Sequence, residues 1–275
     1  MPFPRMLDRM KSNAFTSDAE SPCASAQVRE AERSALSPAG LILLGTVHSD
    51  PKGFSRTRAF LQRHRPDLIM VEISPYALKF RKERAPELRK IFLERLRIVS
   101  RNLKIDYGVA LKHVQIVSIL RQTGIPYEYR AAAAYAKRTG IDLLAVDSSE
   151  FSRGWIETWP EMVSAANIEL LLKLESAAPS ASSLYAQAAR RIGGGPSCPE
   201  TLPAGGEPGW QEREIYLAAQ ITSALERFNP ERPIYIGGWW HLSRRGNVKT
   251  VRELLGLGAA SCLLLDRGAA GILHG

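Results

Sequence analysis

The chain has 275 residues, 45% of them hydrophobic, enough for one large domain with a substantial core or at most two small ones. Its three cysteines, Cys23, Cys198 and Cys262, are too few and too far apart for a disulfide framework or a Cys-x-x-Cys metal site, and they fit a reducing compartment. The net charge of +9 is concentrated in KFRKERAPELRKIFLERLRIVSRNLK (79–104), where basic residues alternate with Leu, Ile and Phe at helical spacing. Such a stretch is either an anion-binding face or the solvated side of an amphipathic helix. Without interleaved aromatics or a nucleic-acid motif, the second reading is preferred and no specific nucleic-acid partner is expected.

Residues 1–38 are rich in Ser, Ala and charge, lack periodicity, and are expected to be a disordered N-terminal segment. They contain no continuous apolar h-region, so no secretory signal is expected. No run reaches the roughly 18 apolar residues of a membrane span, and the expected location is cytoplasmic. LILLGTV (41–47) is continuously apolar and predicts a buried strand. SRTRAFLQRH (55–64) predicts a helix ended by Pro66, and DLIMVEI (67–73) the next strand, which together make one βαβ unit. Continuously apolar strands are expected in a parallel sheet covered on both faces. A basic helical region follows to about residue 121, with Gly108 as a break. IPYEY (125–129) reads as a third strand, RAAAAYAKRTG (130–140) as a helix and IDLLAVD (141–147) as a strand. PEMVSAANIELLLKLE (160–175) reads as a helix. Residues 176–209, rich in Gly, Pro, Ser and Ala, read as a low-complexity surface insert that could be removed without unfolding the core. WQEREIYLAAQITSALERF (210–228) is a predicted helix, PIYIGG (233–238) a strand, VKTVRELLGLG (248–258) a helix closed by Gly, and SCLLLD (261–266) the last strand. The alternation predicts a single α/β domain over 39–275 with a mostly parallel central sheet flanked by helices.

In open α/β sheets, ligands gather beyond the carboxyl ends of the strands. His48, Glu72, Glu128, Asp147 and His241 all fall at such ends in this reading. Gly45-x-x-His48 and Gly238-x-x-His241 share one spacing, with Gly where the chain leaves the strand. His48, Glu72 and His241 together have the composition of an open catalytic metal site, which would activate a water and polarise a carbonyl. Glu72 lies inside the apolar MVEIS, so it must be metal-bound, hydrogen-bonded or paired with a cation such as Arg213. Arg213 opens the helix at 210–228 and either ends it in solvent or holds an anionic oxygen. Glu128 either lines the cleft or caps the following helix. Trp239 and Trp240 either wall an apolar substrate pocket or pack over the sheet rim. His241 is expected to be a rim residue that adds little to the core. The P-loop, dinucleotide, nucleophile-elbow and His-Glu-x-x-His motifs are absent from the chain.

LLGTVHSD, then PDLIMVEIS, resembles the opening of the TraB / pheromone-shutdown family, which includes the TIKI-type proteins with two Gly-x-x-His motifs. IPYEYRAAAAYAKRTGIDLLAVD is similar to that family's middle segment. EREIYLAAQI is similar to its Arg-acid-x-x-Met-Ala helix, with Leu217 where Met is usual, and PIYIGGWWH to its closing strand. The resemblance runs in order over roughly residues 40–266. It implies a fold of the TraB, erythromycin-esterase-like and ChaN-like type, and for the TIKI branch a peptidase-like activity using manganese or cobalt. By position, His48, Glu72 and His241 would form the site, with Arg213 assisting. The chain departs from the family where Trp239 or Trp240 stands in place of the usual small residue, and neither the membrane anchor of TIKI proteins nor the C-terminal membrane helices of many TraB proteins are expected in it. The expectation is a hydrolase of a peptide or a small amide or ester, dependent on a divalent ion (manganese, cobalt or zinc). A metal-free variant would use His48 as general base oriented by Glu72. The alternative is a non-catalytic regulatory or binding protein that holds a peptide or haem in the same cleft.

Overall fold

Five short apolar runs assemble into one sheet in the computed structural model, which describes residues 40–174, 179–193, 209–243 and 248–268. The expected disorder of residues 1–38 therefore lies outside the described residues, as does most of the insert at 176–209. In chain order the first elements are β1 (Ile42–Thr46), α1 (Gly53–His64), β2 (Leu68–Val71) and the long basic α2 (Pro75–Asn102). Next come α3 (Tyr107–Lys112), α4 (Val114–Thr123), α5 (Tyr127–Thr139) and β3 (Asp142–Ala145). The helices α6 (Ser149–Ile156), α7 (Trp159–Met162), α8 (Ala165–Lys173), α9 (Ala181–Ile192) and α10 (Trp210–Phe228) follow. β4 (Pro233–Gly238) runs into a single 3-10 turn at Trp239–Leu242, and α11 (Val251–Leu254), β5 (Cys262–Leu264) and α12 (Leu265–Gly268) close the described chain.

The strands lie in the order β3-β2-β4-β1-β5 and all pair in parallel. This is the α/β fold with helices flanking a parallel sheet. β1, β2 and β4 carry a near-unbroken buried pattern because helices cover both faces. The insertion of β4 between β1 and β2 positions the site. Thr46 pairs with Gly238 and Val71 with Ile236, so the turn after β4 emerges between the ends of the strands that carry His48 and Glu72.

Local chemistry explains the boundaries. Ser74 caps α2, its hydroxyl accepting from the Ala77 N–H, and Pro75 occupies the first helical position. Phe92, Leu96 and Val99 recur on its buried face while the basic residues lie outside it. α5 ends at Gly140, whose φ of 77° is the left-handed cap that glycine adopts without strain. Among the described residues no helix is long and apolar enough to cross a membrane.

Several boundaries differ from the sequence expectation, among them the helix expected over 248–258, which is only Val251–Leu254, and the last strand, which stops at Leu264 where α12 begins. IPYEY is not a strand: β2 pairs directly with β3, and α5 begins at Tyr127 behind Pro126, the alanine run extending it. The break in the basic region falls at Leu103–Asp106, where Lys104 takes a positive φ and Asp106 caps α3, and Gly108 sits inside that helix. The helix expected over 160–175 is two, because the Ser164 hydroxyl accepts from Asn167 N–H and starts α8 afresh. Within the insert, α9 packs on the domain, with Tyr185, Ala188 and Ile192 buried at helical spacing.

Candidate functional site

The two glycines that end β4 explain how the site fits together. A Cβ on Gly237 would stand 2.8 Å from Glu72 Oε2 and 2.4 Å from the Tyr235 hydroxyl. A Cβ on Gly238 would stand 3.2 Å from His48 Nε2 and 3.4 Å from Glu72 Oε2. Glycine is required here for room, not for a sharp turn, since Gly238 has an ordinary φ of −59°. Against this bare backbone His48, Glu72 and His241 converge at one rim of the sheet.

His241 is buried on the first turn beyond β4. Its Nε2 lies 2.9 Å from Glu72 Oε1 and its Nδ1 2.6 Å from Glu214 Oε1, and its ring stacks on Trp210. Burial opposes a charge there, but the two carboxylates outweigh it and pull the imidazole up to about 9. At neutral pH it is an imidazolium donating from both nitrogens. Burial alone would raise Glu72, but His241 and then Arg213 hold it well below the usual carboxylate range. Glu72 Oε1 also accepts from Arg213 Nη2 at 2.6 Å, and Oε2 from the Gly238 N–H at 2.6 Å. Arg213 reaches on from Glu72 to Asp147, donating from Nε and Nη2 at 2.9 Å each, with Phe151 and Trp210 beneath its guanidinium. These acids raise Arg213 above its ordinary value against the effect of burial. Of the readings given to Glu72, the geometry has it paired with Arg213 and His241 and hydrogen-bonded to the Gly238 N–H.

His48 is built differently. Its Nδ1 lies 2.8 Å from Glu128 Oε1, which also accepts from the Thr46 hydroxyl at 3.0 Å. Glu128 stands in the first turn of α5 and turns inward, so it caps no helix. Crowding at the strand ends opposes a charge on His48, but Glu128 overrides it and, with Glu72, pulls the imidazole up to about 9. The side chain is 62% exposed, against 12% or less for Arg213, Glu72, Asp147, His241, Glu214 and Glu128, so water screens part of that pull. The turn bearing His48 is clamped at the backbone. Val47 O accepts from the Tyr127 hydroxyl, and Val47 N donates to Tyr185, which donates to Asp50. Arg56 pairs with Asp50, and Arg121 donates to Ser49 O.

Sequence reasoning missed Glu214, Thr46, Asp50, Tyr127 and Tyr185. For Glu214 a signal existed: with Leu217, Ala218 and Ile221 it completes the buried face of α10. Trp239 is only 2% exposed and lies stacked on Trp240 with its Cα against Gly45, so it packs over the sheet rim and does not wall an opening. Trp240 is half-buried, with the Arg191 guanidinium over its ring.

A divalent ion on His48, Glu72 and His241 does not fit this arrangement. Both nitrogens of His241 face carboxylates as donors, and both Glu72 oxygens are already engaged, Oε1 by His241 and Arg213 and Oε2 by the Gly238 N–H. Among the described residues no group of three His, Cys, Asp or Glu side chains is placed to hold one. The cluster instead has a buried base of three acids and two cations topped by one water-accessible imidazole whose Nδ1 is fixed by a carboxylate. Such an imidazole can exchange a proton with a molecule lying over the strand ends. No family model, curated protein or solved structure matches the chain.

Proposed function

We propose that the chain is a hydrolase of a carboxylic ester or amide, a peptide bond included, with His48 as its acid–base group. The observation that carries this reading is the 2.8 Å contact between His48 Nδ1 and Glu128 on the only solvent-open titratable side chain of the described cluster. Glu128 fixes the tautomer and supports the positive charge as it forms, as the carboxylate of a Ser-His-Asp triad does. Neutral His48 takes a proton from water at Nε2, and the water oxygen attacks the carbonyl carbon. The same proton passes to the departing oxygen or nitrogen as its bond to carbon breaks. Glu72, Arg213, Asp147, His241 and Glu214 form the rigid floor. Here Glu128 fills the orienting role that sequence reasoning gave to Glu72.

The resemblance to the TraB and TIKI-type proteins belongs to this proposal, and its metal-dependent form is a separate claim. It would require His241 to lose a proton and Arg213 to release Glu72. A panel of nitrophenyl esters and quenched-fluorescence peptides tests the hydrolytic reading. Turnover should rise with pH as His48 loses its proton and should vanish in His48→Ala. Metal analysis of the same protein decides between the two forms, because a stoichiometric ion lost in His48→Ala would support the metal-dependent one. Haem absorbance, or no turnover across the panel, would favour a binding protein.

A further inference from the structure

Among the described residues the guanidinium groups of Arg213, Arg56 and Arg252 are matched to acceptors, whereas Arg81 and Arg191 each keep a buried Nε without a hydrogen-bond partner, and Arg81 alone of these two also lies beside a second orphaned donor. Arg213 has Glu72 and Asp147, Arg56 has Asp50, and Arg252 has the carbonyl oxygens of Leu257, Ile192 and Leu242. Arg81, on the second turn of α2, has only a 3.5 Å contact from Nη1 to the Ala77 carbonyl. Its Nε is buried without a hydrogen-bond partner, and no carboxylate pairs with it among the described residues. Asp147 lies within electrostatic reach, but both its oxygens are taken by Arg213.

The Arg81 guanidinium lies 5.0 Å from the centroid of the Trp159 ring. Trp159 is 1% exposed, and its indole N–H is also buried without a partner. Phe80 meets that ring edge-on. Two neighbouring N–H donors, one of them cationic, are thus withdrawn from water with nothing to donate to. Buried donors are normally satisfied, and each orphan costs stability. Burial also drags Arg81 down to about 10, since it has lost its water and Asp147, at a distance, offsets only part of that loss.

We propose that Arg81 and Trp159 form an oxyanion subsite between α2 and α7 that receives a carboxylate or phosphate group. The guanidinium supplies charge and the Nε–H, and the indole supplies a second, fixed donor. This subsite does not depend on hydrolysis at His48, and its test reads binding alone. The full chain, labelled with nitrogen-15, is titrated with sodium acetate and, separately, with inorganic phosphate, with sodium chloride holding ionic strength constant. The Trp159 indole N–H is identified by its loss in Trp159→Phe. A saturable shift with acetate assigns a carboxylate subsite, and one with phosphate a phosphate subsite. The shift should disappear in Arg81→Gln, and Arg81→Lys should bind about tenfold more weakly, the loss of one charge-assisted hydrogen bond. Calorimetry on Trp159→Phe, which keeps an aromatic ring but not the donor, should show a similar weakening even if Arg81→Gln fails to fold. No saturable shift with either anion, an undiminished shift in Arg81→Gln, or unchanged affinity in Trp159→Phe would overturn the proposal.

Discussion

Replacing His241 by Gln should cost stability in a way that depends on pH. The imidazole is raised from an ordinary 6.5 to about 9 in the folded chain, because it lies between Glu72 and Glu214 with 2% of its surface exposed. A difference of about 2.5 pH units corresponds to roughly 3 kcal/mol at 1.36 kcal/mol per unit. Since the folded value lies above the unfolded one, this stability is fully present below pH 6.5 and lost as pH rises through about 9. Gln is neutral throughout, and it leaves Glu72 and Glu214 without the imidazolium they share. Urea unfolding of both proteins from pH 6 to pH 10 measures the effect. The gap between them should be widest near pH 6 and narrower by roughly 3 kcal/mol at the alkaline end. His48 titrates in the same direction and is present in both, so it enters the difference only through its electrostatic coupling to His241. A gap that stays constant across this range would refute the reasoning, because His241 would then not be an imidazolium held by two acids.

Glu128→Gln should return His48 toward the ordinary histidine range, seen by NMR titration of its ring protons, and should move the pH dependence of any turnover down with it. Unchanged titration would mean that Glu128 does not hold the ring. Gly237→Ala should be more damaging than Gly238→Ala. Its Cβ would fall 2.4 Å from the Tyr235 hydroxyl and 2.8 Å from Glu72, whereas Gly238→Ala brings contacts of 3.2 and 3.4 Å. Overpacking of this kind costs about 1–3 kcal/mol, measurable by thermal unfolding. Tyr185→Ala should cost about 3 kcal/mol or more by the same assay, since it empties a fully buried aromatic site and frees the turn at Val47.

The parts of the fold legible in the sequence are those where burial is written in composition. β1, β2 and β4 are continuous apolar runs, and α10 and β4 occupy the boundaries that their periodicity implies. α9 escaped because its buried face is built from Tyr185, Ala188 and Ile192 among Ser, Ala and Gln, so the period is present but the hydrophobic contrast is weak. IPYEY misled for the opposite reason: β-favouring Ile and Tyr made a strand plausible locally, but β2 already had β3 as its neighbour.

For the site, shared strand polarity was enough to bring His48, Glu72 and His241 together, because a parallel sheet sends all its carboxyl ends to one edge. It could not assign their partners. His241 read as a rim residue by its place after a strand, yet the Trp239–Leu242 turn folds it back under the rim, between an acid from β2's end and one from α10. Glu128 is supplied by a helix more than 80 residues downstream of β1, and nothing local ties it to His48. The His₂Glu composition suggested a metal because composition does not record protonation. Once Arg213 and Glu214 join the set, the same two histidines divide into a buried cation that holds the floor and an exposed imidazole free to exchange its proton. What distinguishes His48 from His241 is therefore direct contact and exposure: His48 touches one acid and keeps an open face, and His241 is clamped between two with none.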